Sequence, residues 1–211
     1  MSIIFPDERP KVPQNNQWIW IEKLIFRKGS ILIHEEIDQE VSDKICNLML
    51  AFAIERPNQT QVIYINSPGG YIKYALPIYD LMQYLPTTFM TIGFGNIIGT
   101  AALLLLGGGI NKRLILPHTK VSLYKPLEHP KILDLLSDSR IKDKVYMEML
   151  NNFRQVGDII EKRTGLDRDT VFGFMNDTGY MSAAAAKYYK IVDEIVTEKL
   201  IDEKLIDENK D

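Results

Sequence analysis

The chain has 211 residues, 45% of them hydrophobic and 25% charged, with a formal net charge of -3. That length suits one α/β domain with a substantial core, and the composition is unlike that of a disordered chain. Lys and Arg are scattered rather than gathered into a nucleic-acid surface, and the most apolar run, Ile97 to Leu106, is well short of the roughly 20 residues of a membrane span.

The first ten residues lack a signal-peptide apolar region and the Ser/Arg-rich look of a transit peptide. The protein is therefore expected to stay where it is made or to have lost a presequence. Residues 1–17 read as a loosely ordered arm, ending in a short strand at Trp18-Ile19-Trp20-Ile21. Ser30 to Ile33 reads as a strand. Asp38 to Glu55 reads as a helix, with Val41, Ile45, Leu48, Met49 and Phe52 at helical spacing. Its Cys46 sits in an apolar run and reads as a core cysteine. Gln61 to Ile65 is a strand running into Ser67-Pro68-Gly69-Gly70, and Ile72 to Tyr84 is the next helix. Phe89 to Phe94 is a strand and Ile97 to Leu106 a helix. Arg113 to Leu116 and Val121 to Tyr124 add two more strands.

Strands alternating with helices of ten or more residues require βαβ units and a mostly parallel sheet. The right-handed crossover rule then places the turns after Ile65 and Phe94 together at the carboxyl edge, where α/β folds hold ligands.

Beyond Pro126 the pattern changes. Ile132 to Lys162 reads as helical, with Ile141, Val145, Met149, Phe153, Val156 and Ile160 on one stripe and Gly165 as a stop. Periodicity leaves open whether this helix projects toward a partner or lies on the sheet. Ser182 is positioned to cap a helix at Ala183 to Ala186, before Ile191 to Ile195. Glu198 to Asp211 reads as a charged, frayed tail.

Two segments carry the chemistry: Ile65-Asn66-Ser67-Pro68-Gly69-Gly70 and Gly93-Phe94-Gly95-Asn96-Ile97-Ile98-Gly99-Thr100. Together with Ile78 to Tyr84, Lys112 to Pro117, Lys125-Pro126-Leu127, Arg163-Thr164-Gly165 and Tyr180 to Ala183, they resemble the Clp protease proteolytic subunits. The early Pro10-Lys11-Val12-Pro13 resembles the plastid-encoded members.

The resemblance implies a Clp/crotonase-like fold of repeated βαβ units. It gives an N-terminal arm at 1–17, a domain at 18–196 with a projecting helical handle at about 127–163, and a tail at 197–211. It also implies where chemistry is missing. The family's nucleophilic serine falls at Gly99, its histidine base at Tyr124 and its orienting aspartate at Thr178. A tyrosine with an ordinary pKa near ~10 is a poor base at neutral pH. His34, His118 and His129 do not match the base position, and Asp177, beside Thr178, has no base to orient. The surviving scaffold is the backbone at Gly70 and Thr100, where the family's oxyanion donors stand.

Positions that in relatives line the docking clefts for an ATP-driven unfoldase are Val62, Tyr64, Tyr84, Ile92 and Phe94; core packing of the strands is the alternative reading. After Tyr124, Leu127-Glu128-His129-Pro130-Lys131 lacks the family's glycine-containing strand, so strand-like peptide capture is not expected there.

The expectation is a catalytically inactive, ClpR-like subunit. It would sit in a heptameric ring of a double-ring tetradecamer with other Clp proteolytic subunits, in the plastid (chloroplast stroma). No Gly-x-x-x-x-Gly-Lys-Ser/Thr loop occurs, so ATP would be consumed by a separate Hsp100-type unfoldase. No cofactor, metal, nucleic acid or membrane partner is expected. The rivals are an active serine endopeptidase using Thr100 or Ser122, a crotonase-type acyl-CoA enzyme, and a free-standing binding module.

Overall fold

The computed structural model describes residues 11–14, 17–20, 29–123 and 139–197. Strands β1 (Lys11–Gln14) and β2 (Gln17–Trp20) pair antiparallel, so part of the expected arm is a hairpin. The main sheet contains β3 (Ser30–Ile33), β4 (Gln61–Ile65), β5 (Phe89–Gly93), β7 (Arg113–Ile115) and β10 (Glu194–Ile195), in the order β10-β7-β5-β4-β3. All its pairings are parallel. Helices α1 (Gln39–Glu55) and α2 (Ile72–Tyr84) make the crossovers that parallel neighbours require.

Sequence decides each element locally. Asp38 caps α1 by accepting from Val41 N at 2.9 Å, and Val41, Ile45, Met49 and Phe52 form its buried stripe. Strand alternation sends Ile31, Ile33, Ile63, Ile65 and Phe89 to the main core beneath the helices. It sends Val62, Met90, Ile92 and Leu114 into a smaller cluster with Val196, against which Tyr64 packs.

The expected helix over Ile97 to Leu106 is corrected. Asn96–Ile98 is a strand, β6, and helix α3 begins only at Thr100 (Thr100–Leu106). Gly99 between them has φ 57° and ψ -117°, outside the helical region. An unbroken apolar run has no period to reveal such a break. Strand β6 joins β8 (Lys120–Ser122) and β9 (Met181–Ser182) in a second, three-stranded sheet.

Helix α4 (Ser139–Thr164) is exposed at one end and buried at the other. Its distal Ile141, Tyr146 and Met147 are about half exposed, whereas Val156 and Ile160 lie in the core. Gly165 ends it at φ 72°, with its N–H on Glu161 O. The expected start at Ile132 and the tail lie outside the described residues. Helix α5 (Arg168–Asn176) follows, and α6 (Ala183–Tyr188) is capped by Ser182, which accepts from Ala185 N.

Beneath α6, Arg113 anchors β7 to the chain entering β10. Its Nε and backbone N–H both donate to Asp193 Oδ2 at 3.0 Å, Nη2 pairs with Oδ1, and Nη1 reaches Lys190 O at 3.0 Å. Lys190 holds that carbonyl with φ 58°, a left-handed conformation costly for a residue with a Cβ. Lys190→Gly is expected to raise stability by about 1 kcal/mol in a urea titration. A lower midpoint would mean that the lysine side chain offsets its own strain.

Candidate functional site

The two segments singled out in the sequence meet at the carboxyl ends of β4 and β5. Ser67 O accepts from Ile98 N at 3.1 Å, and Thr100 Oγ1 donates to Gly70 O at 3.2 Å. The glycines permit this approach. Gly69 has φ 85°, and a Cβ there would stand 2.5 Å from Ile98 O. A Cβ on Gly70 would stand 2.1 Å from Ile37 O, because Gly70 forms a parallel bridge with Ile37. Ser67, buried, fixes the turn: its Oγ donates to Glu35 O at 2.6 Å and accepts from Gly69 N at 3.1 Å. Sequence reasoning gave Ser67 no role. A polar residue directly before Pro-Gly-Gly was the available signal, because Ser hydroxyls bond local backbone in such turns.

The amide groups of Gly70 and Thr100 donate to no other group among the described residues. They stand on two adjoining segments, and the Thr100 nitrogen lies 3.2 Å from where a Gly69 Cβ would be.

The second sheet gathers the remaining positions. Gly99 follows β6, and its N–H donates to Ser122 O at 2.9 Å. Tyr124 lies two residues past the end of β8 in the sequence, outside the described residues. Strand β9 runs antiparallel to β8, with Val121 opposite Met181, so the residues just before β9 stand at the same end. Thr178 is there and exposed. Thus β6, β8 and β9 bring Gly99 and Thr178 to one end of one small sheet, although 79 positions separate them.

Thr100 is 1% exposed and its hydroxyl is committed to Gly70 O. Ser122 is buried as well. Asp177 uses Oδ1 to accept from Gly179 N at 2.9 Å, which closes a local turn. His34 is exposed just past β3, and His118 is exposed after Pro117. His129 lies outside the described residues. No group of three or more potential metal ligands occurs among the described residues.

The cleft positions divide. Val62 and Ile92 are buried together with Tyr64 against them, and burial pushes the Tyr64 phenol above its usual range. Tyr84 is 85% exposed at the end of α2, and Phe94 is half-buried after β5.

The model of the Clp protease family matches residues 13–199 of the chain. The chain belongs to the Clp protease family. It is 32% identical over 201 residues to an ATP-dependent Clp protease proteolytic subunit of Oenothera elata subsp. hookeri, covering 92% of this chain and 77% of that one. It is 30% identical over 197 residues to that of Chlorella vulgaris, covering 90% and 94%. The value is 31% over 196 residues for that of Pleurastrum terricola, covering 92% and 94%. The relatives come from algae and land plants. The α/β architecture, with its parallel sheet, is that of a Clp proteolytic subunit fold. In this Clp-family chain Gly99 occupies the strand-to-helix corner beside Gly70 and Thr100.

Proposed function

We propose that this chain is a non-catalytic subunit of a Clp protease core, contributing to a heptameric ring beside other proteolytic subunits in the plastid. The observation that carries this reading is Gly99: the corner between β6 and α3 holds a residue with no side chain to attack a carbonyl. Thr100, the adjacent hydroxyl, is buried and donates into the backbone. At the positions that the resemblance gives to the base and the orienting acid, the sequence has Tyr124 and Thr178. The amides of Gly70 and Thr100 keep the arrangement of an oxyanion site without a group that needs it. The exposed distal part of α4 would meet the facing ring, and Tyr84 with the Val62, Tyr64 and Ile92 face would stand toward an unfoldase. No acid occurs between Gly95 and Gly107 to serve acyl-CoA chemistry.

The test is fluorophosphonate labelling of the native complex, with mass spectrometry identifying the adduct-bearing chain. Label is expected on co-purifying subunits and absent from this one. Gly99→Ser is expected to remain unlabelled, since a serine without a base keeps its proton. An adduct on the natural chain, at Thr100 or any serine, would overturn the reading.

A further inference from the structure

Helix α3 ends at Leu106 and is followed by Gly107-Gly108-Gly109, none of which has a side chain to close its last carbonyls. The amides of Gly107 and Gly108, with Thr91 Oγ1 of β5 on Leu105 O at 2.8 Å, meet the carbonyls up to Leu105, and two other helices supply the donors beyond. Gln83, in the last turn of α2, donates Nε2 to Gly107 O at 2.9 Å. Arg163, in the last turn of α4, donates Nε to Leu106 O at 2.8 Å and Nη2 to Gly108 O. Its Nη1 reaches Gln83 Oε1 at 3.5 Å, and its carbonyl accepts from Arg113 Nη1 at 3.3 Å. One guanidinium thus joins the ends of α2, α3 and α4, placing its positive charge where the α3 dipole is negative.

The other end of α3 is Thr100, which holds Gly70 O. All seven residues of α3 are buried, and at about 10 Å the helix is too short and too tightly packed to bend. Helix α4 is about 39 Å long, and its distal part stands exposed. A displacement of that distal part therefore bears on α3 at the Arg163 joint, and α3 carries it to the turn.

We propose that Arg163 is a positioning residue coupling the projecting helix α4 to the Gly70–Thr100 contact through α3. The clamp is a property of this chain alone. What loads it, a facing ring against α4, rests on the reading of the chain as a ring subunit.

Hydrogen exchange read by mass spectrometry on the full chain tests the clamp in wild type, Arg163→Met and Arg163→Lys. In Arg163→Met, amides 97–103 are expected to exchange at least about fivefold faster, while β4 and β5 do not change. Arg163→Lys keeps the charge without the planar fork and is expected to fall between the two. If Arg163→Met does not fold, the lysine variant decides alone. Uniform acceleration across the chain, or none at 97–103, overturns the proposal. A second comparison sets the free chain against the assembled complex. Assembly is expected to slow 97–103 in wild type and to slow it less in Arg163→Lys. If assembly leaves 97–103 unchanged while the variants still loosen it, the clamp stands and the ring contact of α4 is what fails.

Discussion

Gly70→Ala is expected to lower stability by about 3 kcal/mol, seen as a large drop in the urea midpoint. The added carbon would sit 2.1 Å from Ile37 O and 2.7 Å from Ile37 C. Both are backbone atoms, so no rotamer change relieves the overlap. The turn must separate from the Ile37 segment, breaking the bond from Ile37 N to Gly69 O at 2.8 Å. That movement also pulls Gly70 O from Thr100 Oγ1, so the candidate site is lost with the stability. Gly173→Ala in α5 is the control: nothing lies within 4 Å of its Cβ, and a gain of up to about 1 kcal/mol is expected there. Equal midpoints for Gly70→Ala and wild type would rule out the described turn.

Asp193→Ala is expected to cost about 3 kcal/mol as well, for a different reason. Arg113 and Asp193 side chains are only 10% and 15% exposed, so removing the carboxylate strands a guanidinium away from water. The pair also sets an acid limit. Burial pushes the Asp193 carboxyl up, but hydrogen bonds and charge from Arg113, with Arg163 behind it, bring it below its usual range. A depressed carboxylate contributes its stabilisation fully above the unfolded pKa of about 3.9 and loses it as pH falls through the folded value. Wild-type urea midpoints should therefore decline below about pH 4. In Asp193→Asn that part of the decline should be missing; an unchanged pH profile would assign the acid limit to other groups.

Much of the fold was legible because its elements carry their own periods. Helices α1 and α2 and strands β3 and β4 lie where spacing put them, since each has one buried stripe or one buried face. Strand β6 and the late start of α3 were not legible. Residues 97 to 106 are apolar apart from Gly99 and Thr100, and one glycine in such a run carries no period to mark where strand gives way to helix. At the site, the backbone of Gly70 and Thr100 was singled out through the family resemblance, and Gly99 as a missing side chain. The commitment of the Thr100 hydroxyl was not, because its acceptor lies 30 positions earlier. The clusters around Arg113 and Arg163 were invisible for the same reason: their partners lie 80 positions away in each longest case, and charges carry no local pattern at that range.

The order of the main sheet has a consequence for the chain as it is being made. Strand β10 flanks β7, so the sheet is not complete until residue 195 has emerged, and Arg113 waits 80 residues for Asp193. At ordinary elongation rates that interval is about 4–16 s, during which a positive charge meant for the interior has no counterpart. The nascent domain must therefore persist with an open sheet flank and an exposed apolar face at Met90, Ile92 and Leu114 until Val196 arrives. Synthesis itself sets the earliest moment at which this subunit can be offered to its neighbours.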